Sequence, residues 1–227
     1  MSSLPQVPAT VGTGAGQKKS DYWWTVLFTD PLAVPLVRFL TKHRWLTPDQ
    51  VTIAALVLGL SVGVAFAFGT RLSLIIGGLL FYAAFVVDCT DGKLARALGV
   101  TSERGEALDH LADGGRRASA SAGIAFYLWR AEGIPHHDVL WAVVYVCIAY
   151  YFIEISGAEK SEPGAGMRGR WSSALARRRL LPNPGMPDVQ AVVFIIGPLT
   201  GLVVYSLWVG IAMVGAAILL TVRRRLR

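Results

Sequence analysis

Four aspartates, Asp88, Asp91, Asp109 and Asp113, fall within one short stretch, "VVDCTDGKLARALGVTSERGEALDHLAD", directly after a run of apolar residues long enough to lie in a bilayer. An ionised carboxylate in hydrocarbon costs several kcal/mol, on the order of 3, unless something pairs with it or water reaches it. Asp88, Asp91, Gly92 and Ala95 recur at helical spacings of three and four and so share one face. Ser102, Gly105, Asp109 and Asp113 do the same after a short connection, which makes the two helices antiparallel neighbours with acidic faces that can meet. Oxygen-only ligands select hard divalent cations, so Mg²⁺ or Mn²⁺ is expected and Zn²⁺ is not. Two such ions would balance four carboxylates. The acids are spaced by three rather than two, so this is not an EF-hand loop. Solvated aspartates at helix ends are the simpler alternative; two facing rows of acids with Gly92, Gly105 and Arg96 among them argue against it.

The elements that must position these residues are read from hydropathy. The chain has 227 residues, is 53% hydrophobic and has a mean hydropathy of +0.48, which indicates a polytopic membrane protein. We expect an all-α membrane domain of six spans between about 48 and 222, preceded by an amphipathic interfacial helix over about 21–46. Thr47-Pro48 opens the first span. The second runs from Arg71 to about Leu98, the third from near Ser102 to near Trp129, and the fourth from His137 to about Ile155. The block Val189 to Val222 is too long for one span and breaks at "GPLTG", giving a short fifth and a full sixth helix. Residues 1–20 lack an apolar signal-peptide core and read as a disordered tail; 21–227 form the membrane domain. Cys89 and Cys147 lie in apolar segments and are expected to be free.

Basic residues concentrate at Lys18 to Arg44, Lys93 to Arg104, Lys160 to Arg179 and "RRRLR", with only Arg71 and Arg130 at the opposite ends. This is the positive-inside distribution, and it places both termini and the acidic hairpin on the cytoplasmic side of a multi-pass cell-membrane protein. The net charge of +7 is explained by that placement, so nucleic acid is not an expected partner. Arg116 and Arg117 follow Asp113 by three and four residues. They either pair with the hairpin acids or form a pocket for an acceptor's phosphate. Glu154 is either a distant support for the site or an exposed helix end. His110 turns off the acidic face. The loop "GMRGRWSSALARRRLLP" reads as headgroup-facing, and Trp23, Trp24, Trp45, Trp129 and Trp171 as interface anchors.

The pattern Asp88-x2-Asp91-Gly92-x2-Ala95-Arg96-x8-Gly105-x3-Asp109-x3-Asp113 resembles the complete signature of the CDP-alcohol phosphotransferases. The resemblance extends to "TPDQVT" at the first span and to the six-helix layout. It implies that Asp88, Asp91 and Asp109 ligate metal, and that Asp113 shares in metal binding and acts as general base. It implies that Gly92, Ala95, Arg96, Ser102 and Gly105, with Asp49 and Thr52, hold the cytidine diphosphate part of a donor. The implied reaction passes a phosphatidyl group from CDP-diacylglycerol to a small alcohol and releases CMP, a step of phospholipid synthesis. The expected partners are that donor, the alcohol and the bilayer, with a second copy of the chain as a further candidate.

Members similar to the phosphatidylinositol phosphate synthases tend to follow the last aspartate with arginine. This chain has Gly114-Gly115 there, with Arg116 and Arg117 displaced, which leaves inositol phosphate, glycerol phosphate, serine and other alcohols open. A membrane prenyltransferase also holds a diphosphate through aspartates and Mg²⁺, but it would need a second Asp-rich motif. A divalent-cation transporter would place its acids on broken helices near the midplane.

Overall fold

The computed structural model describes residues 16–18, 20–157, 175, 177–181 and 183–226. The tail up to residue 15, most of the basic loop 158–176 and Trp171 lie outside the described residues.

The ordered elements are helical: α1 (Asp30–His43), α2 (Pro48–Ala67), α3 (Arg71–Leu98), α4 (Glu103–Arg130), α5 (Val139–Gly157), α6 (Met186–Ala191), α7 (Gly197–Thr200) and α8 (Val203–Arg225). A π-turn over Thr25–Thr29 leads into α1, and another over Val192–Ile196 joins α6 to α7. Among the described residues there is no strand, only one isolated parallel bridge between Asp21 and Leu180.

The helix boundaries follow local chemistry. Thr47 caps α2 by accepting from the Gln50 amide, and the Gln50 side chain returns to the Thr47 amide, with Pro48 at the first helical position. Thr70 and Ser73 form the same reciprocal cap on α3. Gly99 ends α3 in the left-handed region at φ 68°, which a side chain would disfavour. Gly201, at φ 84°, turns the chain between α7 and α8. Arg71 donates to the Pro198 and Leu199 carbonyls left unpaired by that break.

Four helices are long and apolar enough to cross a membrane: Pro48–Ala67, Arg71–Leu98, His136–Ile155 and Val203–Arg223. Met186–Thr200 is a shorter apolar stretch. α4 spans 28 residues, but its first half carries the acids and arginines, so it falls outside that set by composition and not by length.

The main core lies away from the hairpin end, where Phe66, Phe81, Ile124, Leu128, Phe194 and Leu207 are buried together. α2 is the platform for the hairpin. α3 and α4 each pack along α2 and touch one another little, so they converge through a shared support and not as simple neighbours. Glycine makes this approach possible. A Cβ on Gly63 would stand 2.2 Å from the Ser119 carbonyl oxygen, and one on Gly123 would stand 2.5 Å from the Gly63 carbonyl oxygen. The Gly59-x3-Gly63 pair on α2 is a small-residue stripe of the kind that brings helices close in lipid.

Candidate active site

α2, the end of α3, the turn after it and the first turns of α4 enclose a cleft of about 470 Å³. Every residue that the sequence assigns to the donor's nucleotide lines it: Asp49, Thr52, Gly92, Ala95, Arg96, Ser102 and Gly105. Asp91 and Asp109 line it too. Oxygen atoms of Asp88, Asp91 and Asp109 all lie within 4.8 Å of one another, from two helices whose acidic faces meet as their spacing requires.

These carboxylates are set up for a hard cation. Asp88 and Asp91 are buried, the latter 3% exposed. Asp91 Oδ1 accepts from the Gly92 amide, and Asp88 Oδ2 lies 3.1 Å from Arg116 Nη1. Their other oxygens, Asp88 Oδ1 and Asp91 Oδ2, are buried without a hydrogen-bond partner among the described residues. Two orphaned anionic oxygens beside a third carboxylate are costly as they stand and suited to Mg²⁺ or Mn²⁺.

Asp113 stands apart from the three. Its Oδ1 accepts from Arg116 Nη2, and its Oδ2 lies 3.2 Å from Arg117 Nη1. Both arginines thus pair with hairpin acids, one of the two arrangements their spacing allows. Arg116 is 1% exposed, whereas the Arg117 side chain is 25% exposed.

The two signature glycines do different work. A Cβ on Gly92 would meet Arg96 Nη1 at 3.3 Å, so the missing side chain leaves room for the guanidinium over the cleft. On Gly105 it would meet Ser102 Oγ at 3.2 Å and Asp49 Oδ1 at 3.7 Å, which narrows the nucleotide end. Ser102 is also the N-cap of α4, accepting from the Gly105 amide at 3.0 Å, and Thr52 donates to the Pro48 carbonyl at 3.1 Å. Arg96 Nε donates to the Gly16 carbonyl at 2.7 Å, so the segment before α1 fixes one edge of this arginine.

Three features were not read from the sequence. Lys93, counted among surface charges, is 3% exposed and lies 3.1 Å from the buried Asp30 of α1. Arg179 reaches the same aspartate at 3.0 Å. Phe81 and Phe85 enclose the Arg116 guanidinium, at 5.6 and 5.0 Å from their ring centres. In the sequence Lys93 stood only as one of the basic residues between Lys93 and Arg104, and Phe81 and Phe85 only as part of an apolar run. Glu154 and His110 are exposed and do not line the cleft.

A family model described as CDP-alcohol phosphatidyltransferase matches residues 45–222. The chain is 33% identical over 140 residues to a phosphatidylinositol phosphate synthase of Streptomyces avermitilis, covering 62% of this chain and 53% of that one. It is 34% identical over 110 residues to a CDP-diacylglycerol–glycerol-3-phosphate 3-phosphatidyltransferase of Mycoplasma pneumoniae, covering 48% and 44%. It therefore spans about half the length of the curated relatives it matches. Its fold is similar to that of Mycobacterium tuberculosis phosphatidylinositol phosphate synthase solved with CDP-DAG bound, at a TM-score of 0.62 and 16% identity, over 85% of this chain and 92% of that one. The same Mycobacterium tuberculosis protein in complex with manganese and citrate matches at a TM-score of 0.61 and 18% identity, over 84% and 87%.

Proposed function

The chain belongs to the CDP-alcohol phosphatidyltransferase family, and on that premise we propose that it transfers a phosphatidyl group from CDP-diacylglycerol to the hydroxyl of a small alcohol, releasing CMP. The observation that carries this reading is the convergence of Asp88, Asp91 and Asp109 at the edge of a cleft whose other lining includes Arg96. A pyrophosphate needs that combination, namely cations beneath it and a guanidinium beside it.

Asp88, Asp91 and Asp109 would hold Mg²⁺ or Mn²⁺, two ions balancing the four carboxylates, with Asp113 at their margin. When bound, they would supply charge neutralisation to a pyrophosphate. Asp49, Thr52, Gly92, Ala95, Ser102 and Gly105 shape the nucleotide end, and Arg96 meets a phosphate oxygen. Asp113 accepts the proton of the acceptor hydroxyl while that oxygen bonds to the phosphatidyl phosphorus. The bond from this phosphorus to the CMP oxygen then breaks, and CMP leaves with the electron pair. Arg117, partly exposed beside Asp113, faces the acceptor.

In the membrane, α2 to α5, the α6–α7 segment and α8 make six spans, with α1 in the interface. The basic-residue bias puts the cleft and both termini on the cytoplasmic side, where CDP-linked donors are found. Purified protein in detergent should release CMP from CDP-diacylglycerol only when one alcohol of a panel (inositol phosphate, glycerol phosphate, serine, inositol) is supplied with Mg²⁺ or Mn²⁺. Release with none of them would remove the proposal.

A further inference from the structure

Arg116 is placed unusually for a cation. It is the largest fully buried side chain among the described residues, 1% exposed. Burying a guanidinium costs several kcal/mol, on the order of 3 or more, and a well-packed apolar side chain often serves stability as well as a buried ion pair does. A purely structural need would be met by leucine or methionine.

Its direction is fixed by packing. A Cβ on Gly59 of α2 would stand 2.8 Å from Arg116 Cβ, so the α2 backbone is pressed against the root of the side chain. Phe81 and Phe85 of α3 hold the guanidinium between them. Its two terminal nitrogens then go to two different acids: Nη1 to Asp88 Oδ2 on α3, and Nη2 to Asp113 Oδ1 on its own helix. Arg116 Nε is buried with no hydrogen-bond partner among the described residues.

We infer that Arg116 is a positioning residue for phosphatidyl transfer: its planar fork sets the metal-facing Asp88 in register with Asp113, the proton acceptor. Engaging Asp88 through Oδ2 leaves Oδ1 without a hydrogen-bond partner among the described residues, as a cation ligand requires. Engaging Asp113 through Oδ1 fixes that carboxylate on the same rigid plane. The inference rests on the reaction proposed above. It assigns Arg116 to the register of the acids and away from the acceptor.

Two variants test it. Arg116→Lys keeps the charge but replaces the planar fork with a single flexible nitrogen, which cannot hold two carboxylates in a fixed relative geometry. It should lower kcat about tenfold or more, with the acceptor KM and the donor-free Mn²⁺ affinity, read by electron paramagnetic resonance, within about threefold. Arg116→Met removes one positive charge that lies 3.1 Å from Asp88 Oδ2. It should tighten Mn²⁺ about tenfold, the scale of that charge under water-like screening, while kcat falls about a hundredfold. Because Arg116 acts through Asp113, adding Asp113→Asn to Arg116→Lys should cost little beyond Asp113→Asn alone.

CMP release by the unaltered protein checks the reaction itself, so failure there is distinct from failure here. A raised acceptor KM at unchanged kcat would make Arg116 an acceptor ligand and overturn the inference. So would multiplicative losses in the double variant, or weaker Mn²⁺ binding in Arg116→Met, which is what a merely structural role would give. Arg116→Lys carries the test alone if Arg116→Met does not fold.

Discussion

Replacing Gly63 by alanine should disable the site from a distance. The new Cβ would sit 2.2 Å from the Ser119 carbonyl oxygen and 2.4 Å from Ser119 Oγ. The hydroxyl can rotate away, but the backbone oxygen cannot. Restoring an ordinary contact of about 3.4 Å forces α2 and α4 apart by roughly 1 Å. α4 carries Asp109 and Asp113, whereas α3, which carries Asp88 and Asp91, packs along α2 in its own right. The separation therefore opens the cluster whose oxygens now lie within 4.8 Å. A misplacement of about 1 Å costs about a hundredfold in rate, and overpacking costs about 1–3 kcal/mol of stability. CMP release and Mn²⁺ affinity should fall together. The control is Gly215→Ala on α8, where a Cβ meets nothing within 4 Å and the added propensity is neutral or favourable. A Gly63→Ala protein with unaltered rate and metal affinity would refute the claim that α2 sets the register of the hairpin.

Asp113→Asn should reduce kcat by about a hundredfold while donor affinity survives, whereas Asp88→Asn should weaken donor and metal together; parallel titrations of CDP-diacylglycerol and Mn²⁺ read the difference. Asp91→Asn keeps the shape and loses the charge, and calorimetric titration should find its Mn²⁺ binding largely gone. Asp30→Asn leaves Lys93 buried and removes its partner, and unfolding in detergent should show a loss of about 3–5 kcal/mol. Cysteines introduced at Val100 and Gly133 should be labelled from the cytoplasm and from outside respectively, and reversed labelling would contradict the sidedness drawn from the basic residues.

The parts of this structure legible in the sequence are those with local causes. Thr47-Pro48 starts α2, Gly201 breaks the last apolar block, and the three-and-four spacing of the acids brings Asp91 and Asp109 to one cleft. What was not legible depends on how helices meet. A short connection argues that α3 and α4 pair directly, yet both lean on α2, because the backbone can approach closest at Gly59, Gly63 and Gly123. Lys93 counted as one more basic residue near the interface until α1 folded over it with Asp30. The spacing of Arg116 from Asp113 showed that the two could meet. It could not show that Gly59, Phe81 and Phe85 turn the guanidinium inward to Asp88 as well.

Stoichiometry bears most directly on the central claim that this cleft holds a CDP-linked lipid and passes on its phosphatidyl group. With radiolabelled CDP-diacylglycerol, Mn²⁺ and the alcohol selected from the panel, one CMP should appear for each phosphatidyl-alcohol formed. Both products should vanish in excess chelator and in Asp91→Asn. Undiminished turnover in chelator, or CMP formed without the phosphatidyl product, would contradict the account.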